Sequence, residues 1–140
     1  MTGWQDVPPP PLSVTPLGWL RVIWRGCLLA ALTYGGLIVL LLVRLIEWPL
    51  FGQARPVTPH ITKAVCRGAL VILRLPLIVH GTPMTMPGAL VANHSSWLDI
   101  FVLNAAQTVY FVAKAEVAGW PGIGWLARAT GTLFIARKGT

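Results

Sequence analysis

The sequence has 140 residues, of which 55% are hydrophobic and only 11% are charged. This length allows at most one ordinary domain, and soluble domains usually contain about 25% charged residues. The composition therefore argues against a disordered chain, a coiled coil and a water-soluble globule. Eleven lysines and arginines outnumber four acidic residues, for a net charge of +7. An apolar, basic chain is typical of a protein that contacts lipid, whereas nucleic-acid binding would explain the charge but not the apolar excess.

The N-terminal residues 1–18 contain five prolines. Because proline fixes φ and lacks an N–H group, this stretch is predicted to be a flexible leader. The next segment, residues 19–48, is predicted to be a membrane-embedded helix. Its central run, residues 26–43, has no charged side chain. As a helix this run would extend about 27 Å, close to a hydrocarbon core of about 30 Å.

The ends of this run carry the residue types found at membrane interfaces. Arginines and tryptophans flank it on both sides, and both favour the headgroup region. These residues are Trp19, Arg21, Trp24, Arg25, Arg44 and Trp48. A pair of glycines at 35–36 would tolerate a bend, so both a full span and a re-entrant dip remain open. The distribution of basic residues slightly favours a cytoplasmic location for residues after 45.

Residues 49–75 are predicted to form a linker and an interfacial helix. Prolines and a glycine interrupt the chain between 49 and 59, and residues 60–75 have a helical pattern. Lys63, Arg67 and Arg74 fall within about 40° of one another on that helix. Two interpretations are open: a helix that lies on the membrane with a basic stripe, or a core helix with one solvated edge.

From residue 76 onward, short β-rich runs alternate with helical stretches. Strands are predicted at 77–80, 89–92, 109–113 and 132–136, and helices at 96–106 and 121–129. This alternation predicts an α/β domain over residues 76–140. The two cysteines, Cys27 and Cys66, belong to no Cys/His cluster, so we expect neither a metal site nor a disulfide framework.

The stretch that carries chemistry is VANHSSWLDI, residues 91–100. His94 follows a predicted strand, and Ser96 with Asp99 fits the start of a helix. A loop-to-helix bend would allow the Asp99 carboxylate to orient the His94 imidazole. An imidazole oriented in this way is suited to remove a proton from a hydroxyl group near neutral pH. A His and an Asp five residues apart are also compatible with a purely structural hydrogen bond.

The string NHSSWLD fits the NH-x-S-x-x-D pattern of the glycerolipid acyltransferases, and the chain resembles that family, most closely the bacterial 1-acylglycerol-3-phosphate (lysophosphatidic acid) acyltransferases. The resemblance implies that His94 is the catalytic base and Asp99 its partner. It also implies a fold in which an N-terminal membrane-embedded helix precedes the first half of an α/β acyltransferase domain with an incomplete sheet.

A second string, GTLFIAR at 131–137, resembles the G-x-x-F-I-x-R block of the same family. The resemblance implies a substrate-binding role for Gly131, Phe134, Ile135 and Arg137, with the arginine contacting the phosphate of the acceptor. A guanidinium group suits that role because it donates two parallel hydrogen bonds to phosphate oxygens. Lys114 lies at the end of a predicted strand. Two interpretations are open: its positive charge attracts anionic groups, or it is simply a solvent-exposed lysine.

Two further blocks of the family, one of the form F-P-E-G-T-R, are not found, so we expect a C-terminally truncated enzyme. The resemblance implies acyl transfer from acyl-CoA or acyl carrier protein to the hydroxyl group of a lysophospholipid, without a cofactor, at the cytoplasmic face of the inner membrane. Two alternatives are a lyso-ornithine lipid acyltransferase and an inactive membrane-anchored fragment. A serine hydrolase that uses Ser95 or Ser96 is disfavoured because no G-x-S-x-G elbow is present.

Overall fold

A computed structural model describes residues 13–93 and 95–136 of the chain. The described elements are α1 (Pro16–Phe51), α2 (Thr58–Leu73), α3 (Leu98–Ala106), β1 (Val112–Lys114), a 3₁₀ helix (Ala115–Gly119), α4 (Ile123–Ala129) and β2 (Leu133–Ile135). A long apolar helix thus precedes shorter helices and a two-stranded parallel sheet. The predicted class, an N-terminal helix followed by an α/β domain with an incomplete sheet, is confirmed.

Helix α1 is longer than the predicted segment 19–48 at both ends. The Thr15 hydroxyl accepts a hydrogen bond from the Gly18 N–H at 3.2 Å, and Pro16 occupies the first turn, where a missing N–H costs nothing. The helix continues through Pro49 and closes with a bond from the Gly52 N–H to the Trp48 carbonyl. One window of 18 residues in α1 has a mean hydropathy of 2.4, so the helix is long and apolar enough to cross a membrane.

Helices α1 and α2 pack as an antiparallel hairpin. A Cβ atom added at Gly36 would collide with the Val65 side chain, and one at Gly68 would lie 2.9 Å from Leu32 Cδ2. Small residues at these two positions let the helices approach closely. The other face of α2 packs on α3 through Cys66, Leu70 and Ala105. This two-sided packing favours a core helix with one solvated edge over a helix that lies on the membrane.

The turn of the hairpin is held by two charged side chains of α1. The Arg44 guanidinium donates to the carbonyls of Gly52 and Ala54 at 2.8 and 2.9 Å. The buried Glu47 Oε1 accepts the backbone N–H groups of Val57 and Thr58 at 2.6 and 3.1 Å. Glu47 therefore caps the N-terminus of α2, where Val57 offers no side-chain acceptor.

Strands β1 and β2 pair in parallel, with Val112 opposite Leu133 and Lys114 opposite Ile135. The 3₁₀ helix and α4 connect them. The strands predicted at 77–80 and 89–92 are wrong: both segments lack regular structure. A strand requires a hydrogen-bonded neighbour, and β1 and β2 pair only with each other within residues 13–93 and 95–136.

Candidate active site

The chain turns into α3 around the carboxylate of Asp99. Its Oδ2 atom accepts the backbone N–H groups of Ser95 and Ser96 at 2.9 and 3.0 Å. The Ser96 hydroxyl accepts the Leu98 N–H at 3.2 Å. Asp99 lies in the first turn of α3, where a negative charge interacts favourably with the helix dipole. The expected bend from loop to helix is therefore present, although α3 begins at Leu98 and not at 96.

His94 itself lies outside the described residues. What the structure defines is the segment directly after it, because one oxygen of Asp99 fixes both Ser95 and Ser96. An aspartate that binds two consecutive amides has a structural function whether or not it also orients an imidazole. The two backbone hydrogen bonds give Asp99 a structural role, and its catalytic role stays a prediction.

Helix α3, which follows this turn, is held in place by three contacts. Trp97 and Phe101 form an edge-to-face aromatic pair with ring centroids 5.8 Å apart. The Arg67 Nε atom donates to the Ala105 carbonyl at 3.1 Å and links α3 to α2. The Gln107 amide donates to the Met84 carbonyl at 2.9 Å and holds the irregular loop that precedes position 94.

The second group of predicted site residues lies on β2. Phe134 is half-buried and lies opposite Ala113, whereas Ile135 is 55% exposed and lies opposite Lys114. Side chains alternate along a strand, so Ile135 and the exposed Lys114 belong to one face at the carboxyl ends of both strands. Arg137, two residues further on, lies outside the described residues.

Gly131 lies between α4 and β2 and has a structural reason to be glycine. Its φ of 85° is in the left-handed region. The N–H groups of Gly131 and Thr132 bond to the carbonyls of Arg128 and Ala127, the two bonds of a Schellman motif. An added Cβ atom would also lie 3.1 Å from the Tyr110 ring and 3.2 Å from Arg55 Cζ. A substrate-binding role for Gly131 stays a prediction.

The predicted site residues belong to two packed units. Asp99 is in the unit formed by α1, α2 and α3, and residues 131–135 are in the unit formed by the sheet, the 3₁₀ helix and α4. Arg55, which the sequence analysis did not single out, joins the units: its guanidinium donates to the Ala129 carbonyl at 2.7 Å. A basic residue in a proline-containing linker gives no sequence signal for such a contact.

Comparison with known proteins gives the family. Residues 77–140 match the Acyltransferase family. Residues 77–140 thus belong to the acyltransferases. The lyso-ornithine lipid O-acyltransferase of Rhodobacter capsulatus is 56% identical over 132 residues, which cover 94% of this chain and 48% of that protein. No solved structure gave a significant match.

Two other relatives match smaller shares of the chain. The lyso-ornithine lipid O-acyltransferase of Pseudomonas aeruginosa is 36% identical over 84% of this chain and 46% of its own length. The 1-acyl-sn-glycerol-3-phosphate acyltransferase of Neisseria gonorrhoeae is 43% identical over 54% of this chain and 30% of its own length. The chain thus spans about half the length, or less, of the curated relatives it matches.

Proposed function

We propose that the protein transfers an acyl group to the hydroxyl group of lyso-ornithine lipid. The observation that carries this proposal is the 56% identity to the R. capsulatus protein of that name over 94% of the chain. The second candidate acceptor, 1-acylglycerol-3-phosphate, is supported by the N. gonorrhoeae relative, which matches 54% of the chain. Both reactions form an ester at a lipid hydroxyl, and both call on the same residues.

The proposed reaction needs one base and no covalent acyl-enzyme. His94 removes the proton from the acceptor hydroxyl while its oxygen attacks the thioester carbonyl of acyl-CoA or acyl carrier protein. The C–S bond then breaks, and the proton on the imidazole passes to the departing thiolate. The products are the acylated lipid and a free thiol. Asp99 orients the imidazole, and general-base help of this kind contributes on the order of 10²–10⁴ in rate.

The proposed acceptor-binding surface is the end of β2. Arg137 holds the anionic group of the acceptor, a phosphate or a carboxylate, through two parallel hydrogen bonds. Phe134 and Ile135 supply apolar contact for the lipid, which the 55% exposure of Ile135 supports. Gly131 shapes the backbone that leads into this strand.

The bilayer is the proposed partner of α1. One face of α1 packs on the rest of the chain and includes the buried residues Leu37, Leu40 and Glu47. The opposite face is apolar and exposed, for example Ile38 at 60% and Leu45 at 71%. Lipid would cover this face and bring an acceptor within reach of the domain. We place the protein at the inner membrane with residues 76–140 in the cytoplasm.

The test is an acyl-transfer assay on membranes that contain the full chain. Release of thiol from acyl-CoA is followed with lyso-ornithine lipid and, separately, with 1-acylglycerol-3-phosphate. Turnover that is lost in His94→Ala but kept in His80→Ala, an exposed histidine of the preceding loop, would support the proposal. Turnover that survives His94→Ala would overturn the assigned base. If the folded chain in the membrane shows no turnover with either acceptor, the inactive-fragment alternative is favoured.

A further inference from the structure

A cavity lies at the open end of the helix hairpin, remote from its turn. It has a volume of about 440 Å³ and is lined by Arg21, Trp24, Arg25 and Leu28 of α1, by Ile72 of α2 and by Arg74. Cavities of about 300–1,000 Å³ are typical of small-molecule sites. Three of its six lining residues are arginines, and none is acidic.

The three arginines form no ion pair within the described part of the chain. Within residues 13–93 and 95–136, the only ion pair joins Arg44 to Glu47 at the opposite end of the hairpin. Three guanidinium groups around one cavity repel each other unless an anion lies between them. Guanidinium groups also bind phosphate oxygens through paired, charge-assisted hydrogen bonds. The lining therefore favours an oxyanion as the ligand.

The backbone at Arg74 adds an independent observation. Arg74 has a φ of 57° and is the one non-glycine residue with positive φ in the described part of the chain. It occupies the position of a Schellman motif that glycine usually fills, with bonds from the N–H groups of Arg74 and Leu75 to the carbonyls of Val71 and Leu70. An unfavourable backbone conformation at a non-glycine residue is a pointer to function. Here the residue that bears it lines the cavity.

The surroundings identify the source of the oxyanion as a membrane lipid. Trp24 is 63% exposed beside the arginines, and tryptophan with arginine is typical of the headgroup level of a bilayer. Leu20 and Val71, exposed at 63% and 76%, extend apolar surface along α1 and α2 next to the cavity. A phosphate dissolved in water would make no use of that apolar surface, whereas the acyl chains of a lipid would.

We propose that Arg21, Arg25 and Arg74 form a binding site for the phosphate of an anionic membrane lipid, seated between the N-terminal part of α1 and the C-terminal end of α2. The site is separate from the sequence blocks at 91–100 and 131–137. It positions the hairpin at the headgroup level and ties the two helices together there. Binding at this site does not require acyl transfer.

The test is native mass spectrometry of the full chain in a neutral detergent. Phosphatidylglycerol and phosphatidylcholine with identical acyl chains are titrated separately. We expect one molecule of phosphatidylglycerol to bind at least about tenfold more tightly than phosphatidylcholine. Arg25→Gln and Arg74→Gly should each weaken phosphatidylglycerol binding roughly fivefold, since a basic residue near an anionic surface contributes about 1 kcal/mol, which corresponds to that factor. Glycine fits the left-handed backbone at 74, so the second variant keeps the fold.

The matched control is Arg128→Gln, which removes an exposed arginine from α4 and should leave lipid binding unchanged. Equal binding of the two lipids, or wild-type binding by both cavity variants, would overturn the proposal. Inorganic phosphate is titrated in a separate experiment. If inorganic phosphate alone binds as tightly as phosphatidylglycerol, the apolar surface contributes nothing to binding and the lipid assignment is wrong.

Discussion

At the residue scale, Asp99 combines a backbone role with a proposed catalytic one, and two substitutions separate them. Asp99→Ala removes the acceptor of the Ser95 and Ser96 amides, so we expect a loss of about 1–2 kcal/mol in unfolding free energy. Asp99→Asn keeps an amide oxygen that accepts hydrogen bonds and should cost less stability. Both variants lack the charge that stabilises an imidazolium, so both should lose on the order of 10²–10⁴ in turnover.

The measurements for Asp99 are thermal unfolding in detergent and the thiol-release assay. Glu116→Gln is the matched control, because it neutralises an exposed carboxylate in the 3₁₀ helix. If Asp99→Asn retained full turnover, Asp99 would have only its backbone role. The sequence pattern placed Asp99 in the first helical turn correctly because capping is a local effect. It did not reveal that one carboxylate oxygen binds two successive amides.

Arg74 provides a second prediction at this scale. Its φ of 57° is unfavourable for a side chain with a Cβ atom, by about 1–2 kcal/mol in the left-handed region. Arg74→Gly relieves that strain but raises the conformational entropy of the unfolded chain. Because these two effects oppose each other, the unfolding free energy should be unchanged or slightly higher. Arg74→Val should lower the unfolding free energy by about 1 kcal/mol or more, since β-branched residues are the least tolerant of positive φ. Destabilisation of Arg74→Gly beyond Arg74→Val would contradict this account.

At the scale of elements, the α1–α2 hairpin depends on which of two adjacent glycines faces α2. A Cβ atom at Gly36 would collide with Val65, whereas one at Gly35 meets nothing within 4 Å. Gly36→Leu should therefore separate the helices and cost about 1–3 kcal/mol. Gly35→Leu is the matched control and should be neutral or stabilising by up to about 1 kcal/mol, because leucine is the better helix former. Equal unfolding free energies for the two variants would contradict the described packing.

Cys66 reports on the packing of α2 against α3. It is buried, and burial raises the pKa of its thiol from 9.0 to about 11. The neutral thiol is favoured in the fold, so this contribution to stability is present below about pH 9 and is lost as the pH rises through about 11. We expect a maleimide to leave Cys66 unmodified at neutral pH in the native chain. Ala105→Leu, which overfills the contact between α2 and α3, should make it reactive, whereas Gly36→Leu, which acts at the contact between α1 and α2, should not; mass spectrometry of the modified chain would measure both.

The elements also show where sequence patterns are sufficient and where they fail. The apolar run at 26–43 and the helical pattern at 60–75 predicted α1 and α2, because a long helix satisfies its backbone hydrogen bonds internally. The segments 77–80 and 89–92 have the composition of strands, but they lack paired neighbours in the described part of the chain. Glu47 was missed because its role depends on the turn that brings the start of α2 back to the end of α1.

At the scale of the whole molecule, the open question from the sequence was whether α1 spans the bilayer or enters it from one side. The middle of the apolar run contacts the domain: a Cβ atom at Gly122, just before α4, would collide with the Tyr34 hydroxyl. Helix α2, with Lys63 and Arg67, lies alongside the same part of α1. A full span would draw these charges and part of the domain into hydrocarbon, where charges are costly. We therefore expect α1 to lie in one leaflet, with its exposed apolar face toward the lipid.

Single cysteines in a variant with Cys27 and Cys66 replaced by alanine test this arrangement in sealed vesicles. Ile38→Cys on the exposed face of α1 should resist a water-soluble maleimide, whereas Val91→Cys, at a residue 95% exposed in a loop, should react. Val14→Cys, just before α1, should react from the same side of the membrane as Val91→Cys, because a helix confined to one leaflet leaves both ends on that side. Labelling of Val14→Cys and Val91→Cys from opposite sides would establish a full span, and rapid labelling of Ile38→Cys would remove the bilayer as the partner of that face.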